Sequence, residues 1–399
     1  MAMESWLCLA LAPEVGPVLA HRLLAAFGTP EAALAASERA LLGVSGLGPS
    51  RARRLLDPAI RRAAQDEARR IAEAGARLVT FADDEYPPLL KRLEYPPLVL
   101  WVRGRIDPLD RLALALVGPR SPSAYGRLMA GALAPALAAH GLTLVSGLAH
   151  GIDADAHRAA LDAQGRTLAV VGQGLGTPIY PSVNAELALR IVEEDRGALI
   201  SIFPMATEPG PGLFPLRNEI IAGLSLGTLV IEASTTSGTL ITARHAAAAG
   251  RVVMACPGDA NRRLAQGSNR LLAEGAFLVQ NVEDVLAALA QELRRERAEL
   301  GTDAGEAATV PEEESERSGQ DGRDHPGGAA PLPGYADDLV RLILQMLEEE
   351  PCPADLLLDR CLESGHAGPA VLDRLLRLEM DGLIRQLPGR LYALARALG

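Results

Sequence analysis

Lysine is almost missing from this chain: Lys91 stands alone beside 38 arginines in a basic set of 39. Two readings of that bias stay open, a G+C-rich coding preference and a demand for planar guanidinium groups that grip phosphate through two bonds. Aromatic side chains make up only 3% of the sequence, which leaves few rings for stacking against any ligand. Cysteine is sparse as well. Cys8, Cys256, Cys352 and Cys361 are scattered without a CxxC pair, which excludes a disulfide framework and a zinc site and suits a reducing compartment. No apolar run approaches the roughly 20 residues of a membrane span, and Glu4 stands where a signal peptide would carry basic residues. The expectation is a soluble, cytoplasmic protein with no membrane contact. Also missing is the segment GxxxxGKS/T, which excludes a P-loop nucleotidase.

A positive charge balance is lacking too. The formal net charge is −11, which at first argues against a polyanionic partner. The distribution of that charge points the other way. Between residues 301 and 330 lie eight acids against Arg317 and Arg323, a net of −6 that makes up over half of the total. The rest of the chain is only mildly acidic and has room for local basic pockets. With hydrophobic periodicity lost and Gly and Pro frequent, residues 300–334 read as an acidic, disordered linker.

Three folded regions surround that linker. Residues 1–75 are short helices punctuated by Gly and Pro, with an internal near-repeat: Val15-Gly16-Pro17 returns 32 residues later as Leu47-Gly48-Pro49, each opening a helix. The second copy, with Gly46, Gly48 and Arg51, has the pattern of an all-α helix–hairpin–helix (SAM-like) domain whose free N–H groups face a DNA phosphate. A small helical bundle without DNA contact is the competing reading. Residues 76–299 alternate apolar runs (112–117, 142–145, 167–171, 198–202, 228–231, 252–255 and 276–279) with amphipathic stretches. This α/β pattern predicts a Rossmann-like, doubly wound, mostly parallel sheet covered on both faces. Residues 335–399 read as helices at 337–349, 354–361 and 368–380, then two strands around 383–385 and 391–393 turned by Pro388-Gly389, a winged-helix domain. Its third helix sets Arg374 and Arg377 beside Asp373 and Glu379, a weak charge that favours protein contacts over groove reading.

In an open parallel sheet, ligands bind beyond the C-terminal strand ends, near the reversal of strand order. The residues that follow the strands are therefore the candidates: Gly118, Arg120 and Ser121; Ser146 and Gly147; Gly172 and Gly174; Phe214, Arg217 and Asn218; Ser237, Gly238 and Thr239. Glycines admit a phosphate close to the backbone and helix N-termini supply N–H groups, so the ligand is expected to be phosphorylated, with Phe214 the best-placed stacker. Gly172-Gln173-Gly174-Leu175-Gly176 is GxGxG rather than GxGxxG and follows the third strand, so no dinucleotide cofactor is expected. His150, Asp153, Asp155 and His157 mimic a metal cluster. On a helix, however, Asp155 turns away from Asp153 and His157. Asp153 is read as ordering its loop with His157 as its partner, and no metal is expected. Ser146, Ser237 and Thr239 lack a His–Asp set and read as phosphate donors in a non-enzymatic site.

Several longer segments run in a recognisable order. They are Tyr86-Pro-Pro-Leu-Leu-Lys91, Pro96-Pro-Leu-Val-Leu-Trp-Val-Arg-Gly104, Val117-Gly-Pro-Arg-Ser-Pro-Ser-Ala-Tyr-Gly126 and Ser146-Gly-Leu-Ala-His-Gly-Ile-Asp153. Ile179-Tyr-Pro181, Phe214-Pro-Leu-Arg-Asn218, Ser237-Gly-Thr-Leu-Ile-Thr-Ala-Arg244 and Gly267-Ser-Asn-Arg-Leu-Leu-Ala-Glu-Gly-Ala276 follow. In this the chain resembles the DprA (Smf) family of DNA-processing proteins. The resemblance implies a single-stranded-DNA-binding recombination mediator that loads the RecA recombinase onto incoming DNA during natural transformation, as a homodimer. It implies DNA contacts from Arg120, Arg217 and Asn218, and dimerisation through residues 269–286.

Three positions depart from the family pattern. Pro119 stands where Ser is usual and removes an N–H and a hydroxyl. Glu219 replaces a second Arg and is expected to reverse charge near the pocket. Ile202 follows Ser201 where Glu is usual. Two competing functions follow: a LOG-like nucleotide phosphoribohydrolase, or a family-derived protein scaffold with weakened DNA binding. The hydrolase would need Pro-Gly-Gly-x-Gly-Thr-x-x-Glu, where this chain has Thr236-Ser-Gly-Thr-Leu-Ile-Thr242.

Overall fold

The computed structural model describes residues 2–301, 338–349, 352–353, 357, 360–361, 364, 371, 374–375, 378, 383–387 and 391–394. The expected linker, most of the second and third C-terminal helices, and the Pro388-Gly389 turn lie outside them. The chain divides into two compact units, Met1–Ala308 and Thr309–Gly399.

Proline opens four of the helices before residue 75, Pro17–Phe27, Pro30–Ala35, Pro49–Leu56 and Pro58–Glu73. At that position its missing N–H breaks no helix bond and its ring presets φ. Thr29 and Asp57 cap two of these helices, accepting from Ala32 N (3.2 Å) and Ala59 N (2.8 Å). Both copies of the near-repeat thus start a helix, each after a glycine N-cap. Leu7, Leu9, Leu23, Leu41 and Leu55 are buried together, in a core that runs on through Val99, Trp101, Leu199 and Met205. The helical region is therefore seated on the α/β region. A polar clip joins them: the buried Glu67 carboxylate accepts from Met205 N at 2.6 Å.

Nine strands make one sheet: β1 (Arg77–Thr80), β2 (Val99–Gly104), β3 (Ala113–Val117), β4 (Thr143–Ser146), β5 (Thr167–Val170), β6 (Gly197–Ser201), β7 (Gly227–Val230), β8 (Val252–Ala255) and β9 (Phe277–Leu278). Their order is β1-β2-β6-β5-β4-β3-β7-β8-β9. From β6 to β9 all neighbours are parallel, which makes the expected doubly wound core. The seven apolar runs match β3 to β9 within a residue or two at each end. Period-two alternation divides each strand between two layers. Leu114 and Leu116 of β3 face helices Ala124–Ala139 and Ile152–Asp162, while Ala113, Ala115 and Val117 face Leu213–Gly223 and Thr239–Ala248.

Two strands were not expected. β1 and β2 extend the sheet as an antiparallel pair, with β2 antiparallel to β6 (Trp101 opposite Ser201). Gly104 ends β2 at φ +95, where a Cβ would lie 2.5 Å from the Gly197 carbonyl oxygen, so only glycine fits that approach.

In the C-terminal unit, helix Asp338–Glu349 and strands β10 (Cys352–Pro353), β11 (Ile384–Leu387) and β12 (Leu391–Leu394) enclose Val340, Ile343, Leu357, Cys361 and Leu375. The order β10-β12-β11 is that of a winged helix. The short β10 adds a strand to the expected hairpin. Across the described residues no helix is long and apolar enough to cross a membrane.

Helix Ala290–Leu300 returns against the sheet through a buried carboxylate. Glu296, 1% exposed, accepts from Arg92 Nη1 (2.5 Å) and Arg111 Nε (2.9 Å). Burial alone would raise its pKa, but these two arginines hold it below the ordinary glutamate value of 4.5. A depressed carboxylate stabilises the fold above that value and loses its contribution as pH falls through the folded pKa. Glu296→Ala should cost roughly 2 kcal/mol, since it removes the buried carboxylate and leaves Arg92 and Arg111 to share the half-exposed Glu299. Urea unfolding should show the deficit at pH 7 and a smaller one near pH 3.

Candidate nucleic-acid interface

The strand order reverses at β3, whose neighbours are β4 and β7. The connections leaving β3 and β7 part there and open a crevice beyond their C-terminal ends. A cavity of about 450 Å³ fills it, lined among others by Gly118, Pro119, Arg120, Ser121, Asp153, Phe214, Arg217, Asn218, Ser237, Gly238, Thr239 and Arg263. Its walls are tied by Glu232, just after β7. This buried carboxylate accepts from Ser123 N (3.0 Å) and Ser123 Oγ (2.5 Å), at the start of the helix that follows β3. Gly126 makes room, since a Cβ there would lie 2.3 Å from Glu232 Oε2.

Arg217 forms the floor. It is 4% exposed, its Nη1 donates to Val170 O at 2.6 Å, and its Nε has no partner among the described residues. Gly147 gives it space: a Cβ would stand 1.7 Å from Arg217 Nη1. Burial lowers the guanidinium's pKa; Asp153 opposes that and Arg120 reinforces it. Burial in turn raises the Asp153 carboxyl, against Arg217, Ser146 and the Ala149 and Gly147 amides. An arginine stays protonated at any physiological pH, so the site keeps a desolvated positive charge. Arg120 is exposed above it, with its Cζ 5.2 Å from the Phe214 ring centroid.

Around this floor several expectations shift. Ser146 is fully buried and its Oγ donates to Leu116 O at 2.7 Å, so it braces the loop and does not reach a phosphate. Gly174 is buried too: a Cβ would meet the Pro204 and Met205 carbonyl oxygens at 2.1 and 2.4 Å. It serves chain packing. Gly172 seats the Phe214 ring, 2.9 Å from a would-be Cβ, and Gly118 clears the Ile152 side chain. Glycine is needed at these places because protein atoms crowd in. Ser237 behaves more as expected: half-buried, it bonds Thr239 Oγ1 (2.9 Å) and accepts Thr239 N–H (3.2 Å) at the N-terminus of Thr239–Ala248. Gly238 beside it is exposed and Thr239 is buried.

Glu219 does not line this cavity. It borders a separate apolar cavity of about 240 Å³ with Val15, Pro17, Trp101, Ile202 and Leu216, so the expected charge reversal at the pocket is absent. Arg51, in the hairpin of the helical region, donates to Gly46 O at 2.9 Å and pairs with Glu14. Gly46 takes φ +87 and Gly48 caps the next helix. His157 bonds Thr167 Oγ1 through Nδ1 at 2.6 Å, in place of the expected Asp153. Two residues outside the expected binding set border the site: Arg263, in the loop after β8, and Tyr180, whose ring lies 6.4 Å from Phe214. The tandem Arg262-Arg263 beyond a strand's C-terminal end was the available signal.

A doubly wound α/β protein with an arginine-floored cavity at its strand reversal, preceded in sequence by a helix–hairpin–helix region and followed by a winged helix, is a narrow class. Residues 77–290 match the family model described as DNA recombination-mediator protein A, 9–59 a SAM-like helix-hairpin-helix tandem, and 327–390 the DprA winged helix domain. The chain belongs to the DprA (Smf) family. Protein Smf of Escherichia coli is 37% identical over 79% of this chain and 77% of its own length. Protein Smf of Synechocystis sp. is 33% identical over 97% of both. The X-ray structure of DNA processing protein A from Streptococcus pneumoniae aligns with a TM-score of 0.62 at 30% identity, covering 72% of this chain and 98% of that one.

His157 supplies a pH test of this loop. Burial, helped by Arg217 and Arg158, pushes its pKa from 6.5 down to about 3. A depressed histidine binds fewer protons folded than unfolded, so its stabilisation is complete above pH 6.5 and lost on acidification. Between pH 7 and pH 5 that loss should reach about 2 kcal/mol. In urea titrations His157→Asn should flatten this component of the pH profile.

Proposed function

We propose that this chain binds single-stranded DNA by its sugar–phosphate backbone in the crevice. As a recombination mediator, it then loads RecA onto incoming strands during natural transformation, in the cytoplasm and as a homodimer. The observation that carries the reading is the cavity itself. The guanidinium groups of Arg120, Arg217 and Arg263 line it, and none forms a salt bridge within 4 Å among the described residues, although the buried Asp153 carboxyl acts on Arg217 from the same cavity. The helices Leu213–Gly223 and Thr239–Ala248 begin at the same cavity, bringing Asn218, Ser237 and the exposed Gly238 backbone with them. Amide groups at helix starts and planar guanidiniums suit phosphate oxygens.

A continuous strand fits better than a compact cofactor. Gly172 and Gly174 are closed by Phe214 and by the Pro204 and Met205 carbonyls, so the GxGxG segment offers no cradle to a pyrophosphate. A shallow recess edged by His150, Tyr180 and Phe214 adjoins the crevice and shares Arg120 and Arg217 with it. Pro119 removes one N–H at its wall, and its carbonyl is already occupied by Ile152 N at 3.3 Å. The chain's part is to hold and hand over a strand, and no covalent chemistry is required of it. The family's description as a recombination mediator supports the RecA step.

The test is an anisotropy titration of labelled single strands across a salt series. Arg120→Ala should weaken binding and make the log–log salt slope shallower by about 0.7, the loss of one phosphate contact. An unchanged slope, or no binding at low salt, would refute the reading. For the dimer, β9 ends the sheet with Phe277 53% and Leu278 49% exposed, an apolar edge suited to a second copy. Phe277→Asp with Leu278→Asp should turn a dimer into a monomer in light scattering while leaving the Rossmann core folded.

A further inference from the structure

Phe214 is the stacking residue that its sequence position indicates, yet its ring is already engaged. Its Cδ1 edge lies against Gly172, and the Arg120 guanidinium sits over the ring at 5.2 Å. Tyr180 is placed differently. It is 50% exposed, its one aromatic neighbour among the described residues is Phe214 (6.4 Å between centroids, 30° between planes), and its hydroxyl has no partner among them. The small cavity it borders shares Arg120, Ala149, Phe214 and Arg217 with the large one. The tyrosine therefore stands beside the same two arginines that line the large cavity.

A half-exposed aromatic on a loop contributes to binding only when it is held in place, because ordering it on contact would cost free energy. Here it is held. Gln173 is buried, and its Oε1 accepts from Tyr180 N at 2.9 Å while its Nε2 donates to Thr177 Oγ1 (2.8 Å) and Pro178 O (2.7 Å). Its own carbonyl accepts from Ser201 Oγ at 2.6 Å. The whole side-chain amide is engaged by residues 177–180. This gives the middle position of the GxGxG segment a purpose that its glycines do not share.

We propose that Tyr180 is the platform on which a base of the bound strand stacks, next to the phosphates held by Arg120 and Arg217. The inference rests on the single-strand reading above. Every base has a π-face, so such a platform is tolerant of sequence. It discriminates a strand with accessible bases from a bare polyanion.

Two labelled strands of equal length and phosphate number, one carrying bases and one abasic, separate the alternatives by anisotropy. Tyr180→Ala should weaken binding of the base-bearing strand by roughly 5- to 150-fold. It should leave the abasic strand and the salt slope unchanged, which also shows that the fold is intact. Tyr180→Phe should keep full affinity, since stacking needs the ring and not the hydroxyl. Equal losses on both strands, or no loss on the base-bearing one, would overturn the platform and leave the single-strand reading standing. No binding of either strand by the unaltered chain would overturn both.

Discussion

The crevice exists because Glu232 spans it. One buried carboxylate, leaving the end of β7, holds the backbone and hydroxyl of Ser123 at the start of the helix after β3. The sheet has to part its connections at that point, because β3 is flanked by strands reached in opposite directions. Without a tie, the two walls would be free to close on each other or drift apart. The loop carrying Arg120 and the turn carrying Ser237 hang from the two ends of this tie, so the distance between them is set before any ligand arrives. The need for Gly126 follows from the same carboxylate. A preformed polar cleft loses little freedom when a ligand enters.

Much of this was legible beforehand, and the parts that were not share a cause. Continuous apolar runs located β3 to β9, because a strand buried on both faces has no polar positions to blur it. The rule that ligands gather beyond strand C-termini then put Arg120 and Arg217 at the site. β1 and β2 are harder to see, because they join the sheet as an antiparallel extension outside the alternation of strand and helix that marks the core. Glu219 was placed wrongly beside the pocket, although two residues along a helix turn the side chain by about 200°. Arg217 therefore faces the crevice and Glu219 faces the helical region. Glycines posed the harder problem. Sequence shows that a Cβ is missing at Gly147, Gly172 and Gly174, but only coordinates reveal that protein atoms occupy the space.

The bias toward arginine also gains a meaning. Arg166 grips Asp110 through two parallel bonds of 2.8 Å, Arg92 and Arg111 converge on Glu296, and Arg105 bridges Asp107 and Asp195. These planar, two-pronged contacts hold distant segments together, which a lysine ammonium would do less well. The crevice arginines stand out by lacking such carboxylates. A chain of net charge −11 thus sets three arginines around a cleft whose lining carries one acid, the buried Asp153.

The fit of Arg217 into the space left by Gly147 has a bearing on how such a site drifts over generations. The arginine could be replaced by a smaller residue in one step, leaving a hole that water fills. Once any methyl group then appeared at 147, the guanidinium would have no place to return to, because the two would overlap at 1.7 Å. Loss of the floor is therefore a ratchet. The two positions are thus coupled, and Arg217 can occupy its place only while residue 147 lacks a Cβ.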